Sequence, residues 1–89
     1  MASDTLKQHI KDALVRLYFH DEDDAVYVMD TDEPGDSVHV VIVSPKFRGK
    51  RLAEKTDLIL SQLTQELPPE EWGRVTLSVG VAPEEIKAL

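Results

Sequence analysis

Apolar residues recur along this chain with two periods, and the switches between them predict its elements. Leu6, Ile10, Ala13, Leu14 and Leu17 fall three or four apart, as on one face of a helix. Lys7, Lys11, Asp12 and Arg16 take the other side, and Ser3 or Asp4 is placed to cap the start. The acidic run Asp21-Glu-Asp-Asp24 ends that pattern, because clustered like charges favour a solvated loop. AVYVM, residues 25–29, is β-branched and aromatic, and SVHVVIV, residues 37–43, is similar, so each reads as a strand. Between them Pro34-Gly35 suits the central positions of a type II turn, which makes the pair a hairpin.

A helical period returns with Leu52, Thr56, Ile59, Leu63 and Leu67, Ala53 and Leu60 alongside, until Pro68-Pro69 stops it. This long helix is expected to begin near Phe47 to Gly49. RVTLSV then alternates strictly, setting Val75, Leu77 and Val79 on one face against Arg74, Thr76 and Ser78 on the other, as a strand with one covered face does. Pro83 followed by Glu84 and Glu85 opens a short last helix that should end near Leu89. The order is α-β-β-α-β-α. The predicted fold is a single α/β (α+β) domain over residues 1–89, with one three-stranded mixed sheet and helices mainly on one face.

Composition narrows the function. A chain of 89 residues buries only about 60–65% of its unfolded surface, so one modest core is expected. No cysteine is present, which excludes disulfides, thiolate ligands and a cysteine nucleophile. The first residues are charged where a signal peptide needs an apolar run, and no apolar stretch approaches the length of a membrane span, so a cytoplasmic location and no membrane contact are expected.

No catalytic constellation emerges. The serines lack a nucleophile-elbow context, and no glycine-rich phosphate loop occurs. DTDEPGD, residues 30–36, places acids like the first part of a calcium loop, but Pro34 and Val41 stand where a ligand and the closing glutamate belong, so it reads as a solvated turn. His9, His20 and His39 have no zinc-site spacing. The chain is therefore expected to be a binding protein, not an enzyme, with no metal and no cofactor.

Charge locates the binding surface. The formal net charge is −7, from 17 acids and 10 bases, yet VSPKFRGKRLAEK, residues 43–55, holds half the bases. From 46 to 55, Lys46, Arg48, Lys50, Arg51 and Lys55 face only Glu54, a local +4 that leaves −11 on the rest of the chain. At the start of a helix such bases oppose the dipole, an arrangement suited to an external phosphate or carboxylate. Two structural readings stand beside it. The lysine and arginine stems cover core along the apolar stripe; and hairpin geometry brings Asp21 to Asp24 to the same end as Lys46 to Arg51, so that the acids neutralise the bases.

The same stretch resembles the BolA family, whose pattern runs V-S-x-x-F-x-G-x-R, then a helix, then L-x-x-E-L. Val43, Ser44, Phe47, Gly49, Arg51, Leu63, Glu66 and Leu67 match it without a gap. The resemblance covers residues 40–67 in sequence and the rest in element order. It implies a class II KH-like fold and two roles, partnership with monothiol glutaredoxins in iron-sulfur trafficking and DNA binding in transcriptional regulation. The expected function is a regulatory or adaptor protein that docks a protein partner, DNA or RNA, as a monomer or weak dimer. The family's Arg-His-Arg reads Lys55-Thr56-Asp57 here, its last-strand histidine is replaced around Arg74-Val75, and the hairpin loop has neither Cys nor His.

Overall fold

The computed structural model describes residues 2–32 and 35–87. Helix α1 (Asp4–Leu17) is followed by strands β1 (Ala25–Asp30) and β2 (Val38–Val43) and a single 3₁₀ turn (Pro45–Phe47). Helix α2 (Leu52–Glu66), a short α3 (Pro69–Trp72), strand β3 (Val75–Val81) and α4 (Pro83–Lys87) complete the order. The sheet runs β1-β2-β3, with β1 antiparallel and β3 parallel to the central β2. That is the predicted mixed sheet, with the third strand placed beside β2. The proposed turn at Pro34 lies outside the described residues; Gly35, beside it, has φ of 96°, the left-handed geometry that only glycine adopts without strain. The predicted end near Leu89 also lies outside them.

One face of the sheet carries the core. Val38, Val40 and Ile42 of β2 and Val26 of β1 pack against Ile10 and Leu14 of α1 and Ile59 and Leu63 of α2, with Phe19 and Phe47 filling the end nearest the 3₁₀ turn. Ser3 caps α1 by accepting from the Leu6 N–H at 3.1 Å. Pro69 opens α3 at a first-turn position with Glu70 and Glu71 behind it, the same Pro-Glu-Glu signal that opens α4. From sequence alone Pro68-Pro69 is expected only to stop the preceding helix.

Three expectations change. The long helix begins at Leu52 rather than near Phe47, because Ser44 and Pro45 nucleate a separate 3₁₀ turn and Gly49, at φ of 77°, breaks the chain's path before α2. Leu52 is not core: it is 73% exposed, and the buried stripe of α2 is Lys55, Ile59 and Leu63. In β3 the alternation is broken after Val75, and beyond that point the covered face is the other one. A bulge pairs Val38 with Val75 and His39 with Leu77, so Val75 faces the core while Leu77 and Val79 turn to the open side. The inner face then receives Ser78 and Gly80.

Candidate docking surface at the strand-to-helix corner

The corner after β2 is built by the residues that carry the BolA-like pattern. Ser44 is wholly buried; its hydroxyl accepts from the Lys46 N–H at 3.0 Å and donates to Asp24. Phe47 is also wholly buried, stacked on Phe19 with ring centroids 5.5 Å apart. It lies over Gly80, where an added Cβ would come within 2.8 Å of the ring. Gly49 supplies the left-handed residue, and Arg51 stands at the N-cap, where Glu54 accepts from its backbone N–H at 2.7 Å. Further along, Leu63 is core and Glu66 pairs with Arg16 across the α1–α2 interface. The pattern is a recipe for a corner.

The five bases meet different fates. Lys46 reaches Asp21 at 2.7 Å and also Asp24, and its ammonium lies 5.3 Å from the Tyr18 ring centroid. Asp24 has no exposed side-chain surface. Burial pushes its carboxyl up, but hydrogen bonds from Lys46, Ser44 and the Asp21 N–H outweigh burial and hold it below the usual carboxylate range. Burial likewise pushes the Lys46 ammonium down, and Asp21 and Asp24 together hold it above its ordinary value. Thus the expectation that the acidic loop meets the basic run holds at Lys46.

Arg48 and Lys55 find acids that sequence proximity does not suggest. Arg48 binds Glu84 in bidentate fashion, at 2.5 and 3.0 Å. Lys55, only 7% exposed, donates to both oxygens of Glu85 at 2.8 and 2.9 Å. The Glu85 carboxyl is held low chiefly by Lys55 and then by the Ala82 N–H, which donates to it at 2.7 Å. The two pairs clamp α4 onto the corner. Replacing Lys55 with Ala should accelerate amide hydrogen exchange at Ala82 and Glu85 several-fold while Ile59 in α2 stays protected. Unchanged exchange at Ala82 would show that Lys55 does not hold α4.

Two bases remain accessible. Arg51 makes only a 3.7 Å contact with Glu54 from a nearly fully exposed side chain, and Lys50 is exposed with no acid partner among the described residues. Neither lies within the first turn of α2, where Glu54 is the charged group that suits the helix dipole. The structure therefore gathers the five predicted residues at one corner but frees only Lys50 and Arg51, next to the exposed Leu52.

A second surface escaped the sequence reading. With both long helices on one side, the other face of the sheet is open and presents Tyr27, Met29 and Leu77 around His39 and Val41. Its signal was present in β2, whose Val-rich run is apolar on both faces, the pattern of a strand covered twice. His9 pairs with Glu71 at 2.9 Å, away from this face. Among the described residues no three His, Cys, Asp or Glu side chains converge to hold a metal ion. Nor is any helix among them long and apolar enough to cross a membrane.

This arrangement, a three-stranded mixed sheet in α-β-β-α-β order with helices on one face, is the BolA-like fold. The chain superimposes on the crystal structure of a Bol-like protein from Babesia bovis with a TM-score of 0.65 and 22% sequence identity, over 99% of this chain and 93% of that one. No protein-family model and no curated protein matches the sequence.

Proposed function

We propose that this chain is a non-enzymatic regulatory or adaptor protein that docks a protein partner through the corner between β2 and α2. Lys50, Arg51 and Leu52 make the contact, while Lys46, Arg48 and Lys55 hold the corner's shape. One observation carries this reading: a leucine exposed by three quarters stands directly beside Lys50, which has no acid partner among the described residues, and Arg51, held only by a 3.7 Å contact with Glu54. An exposed apolar side chain beside two exposed cations fits an acidic protein surface with an apolar centre. It fits a nucleic-acid backbone less well, because Asp21, Asp24, Glu54, Glu84 and Glu85 stand against four of the cluster's five bases.

The BolA-like fold makes a monothiol glutaredoxin the first partner to try, in keeping with a fold class that is generally non-catalytic. Shared ligation of an iron-sulfur cluster is disfavoured: the chain has no cysteine, the histidine expected in the last strand is replaced around Arg74-Val75, and His9 lies on α1, His20 in the loop after it and His39 on β2. Contact is therefore expected with the apo partner.

The test is an NMR titration of the labelled protein with an apo monothiol glutaredoxin, and separately with short duplex DNA and RNA at low salt. Saturable shifts at the amides of Lys50 to Glu54 with the protein, and weak, salt-suppressed ones with nucleic acid, are expected. Tight nucleic-acid binding with a log–log salt slope near about −4.5, the value for five phosphate contacts, would overturn the reading in favour of a nucleic-acid regulator.

A further inference from the structure

Strand β1 is an edge of the sheet, and apart from Asp30 at its end it carries none of the charges or prolines that keep edges from pairing. Its run from Ala25 to Met29 has no lysine and no proline, and its register with β2 is unbroken. On the open face it exposes Tyr27 by 52% and Met29 by 45%. On the helix side a groove separates it from α1, walled by Asp4, Lys7, Gln8 and Lys11 and floored by residues 26–29. Along that wall an acid, Asp4, stands at the first position and a base, Lys11, at the last, with Lys7 and Gln8 between them.

From this we infer that two copies of the chain join β1 edge to β1 edge, antiparallel, into one six-stranded sheet. The inference stands independently of the corner and its partner. A two-fold axis passing between Lys7 and Gln8, the middle of the groove wall, sets Asp4 of each copy opposite Lys11 of the other. Lys7, near the axis, is held by Asp30 of its own copy at 2.9 Å and makes only a longer, 3.6 Å contact with its own fully exposed Asp4. Keeping the helices of both copies on the same side of the joined sheet restricts the register, because a slip by one residue exchanges the faces.

Of the allowed registers, the one centred on Val28 places Tyr27 opposite Met29 of the second copy, an aromatic-thioether pair on the open face. It also sets Asp30 opposite Val26. The neighbouring register, centred on Tyr27, would instead set Tyr27 opposite its own copy and Met29 opposite Ala25, and so loses that pair. The contact, one six-residue strand and two helical turns per copy, falls below the roughly 1,200 Å² of standard stable interfaces, so the dimer is reversible and concentration-dependent.

Sedimentation velocity from micromolar to millimolar protein tests this, with circular dichroism confirming that each variant is folded. The wild type should shift from monomer toward dimer across that range. Tyr27→Lys, which adds the missing edge charge at an already exposed position, should stay monomeric. Asp4→Lys and Lys11→Glu should each weaken self-association at least several-fold. An equimolar mixture of the two should recover it, since the mixed pair restores both contacts. A wild type that remains monomeric at millimolar concentration overturns the proposal, and so does a dimer that Tyr27→Lys and Lys11→Glu leave intact.

Discussion

Phe47→Ala should destabilise the domain by about 3–5 kcal/mol, as large aromatic truncations in a closed core do. Few sites in the chain have less freedom to collapse. The ring is fully buried, stacked on Phe19, which is itself set edge-on to Tyr18 with centroids 5.0 Å apart. Below it lies Gly80, which has no side chain to move into the space. Against a total stability of about 5–15 kcal/mol for natural domains, such a loss takes a large share, and for a chain of this length it corresponds to a fall in melting temperature of roughly 15–30 °C. Chemical denaturation gives the number directly; a loss below about 1 kcal/mol would show that the aromatic stack does not organise this end of the core. The complementary change, Gly80→Ala, drives a methyl to within 2.8 Å of two ring carbons and should cost about 1–3 kcal/mol. Because the two sites share one space, the cost of Gly80→Ala should shrink when Phe47 is replaced by Leu, a coupling that a double-mutant cycle reads.

The fold was legible in the sequence wherever a period ran long enough. Ile10 and Leu14 in α1, Ile59 and Leu63 in α2 and the alternating Val38, Val40 and Ile42 of β2 identify the elements and the core face together. The failures share a physical origin in local backbone geometry that composition does not record. A bulge after Val75 exchanged the faces of β3, so the apolar residues that looked like core, Leu77 and Val79, became the open face. Gly49 at positive φ shifted the start of α2 to Leu52, which left Lys46, Arg48 and Lys50 ahead of the helix and Leu52 in solvent. Charge pairing was half legible. Hairpin geometry predicts that Asp21 and Asp24 meet Lys46, because the end of β2 and the start of β1 must lie together. That α4 returns to place Glu84 on Arg48 and Glu85 on Lys55 depends on tertiary packing over thirty residues of sequence, and no local pattern announces it.

The Asp24–Lys46 pair should make the domain acid-sensitive in a defined way. The Asp24 carboxyl is held below its unfolded value of 3.8, so its contribution is fully present above that value and is lost as pH falls through the lower folded value. Lys46 is held above 10.5, so its contribution is complete below that value and is lost only as pH rises through the higher folded value. Between about pH 5 and pH 9 both contribute in full. Asp24→Asn at pH 7 should therefore cost about 2–3 kcal/mol, by leaving Lys46 partly uncompensated and turning an amide toward an ammonium. That is less than the roughly 3–5 kcal/mol of a fully buried broken pair, because Lys46 keeps Asp21 and some contact with water. The exposed Asp21, replaced by Asn, should cost no more than about 0.5 kcal/mol. Urea unfolding of wild type and Asp24→Asn at pH 7 and again near pH 3 separates charge from shape. A gap that narrows in acid assigns the loss to the carboxylate; a gap that stays constant would mean that the Asn side chain misfits the Ser44 hydroxyl, and that the acidic loop is held to the basic corner by packing rather than by charge.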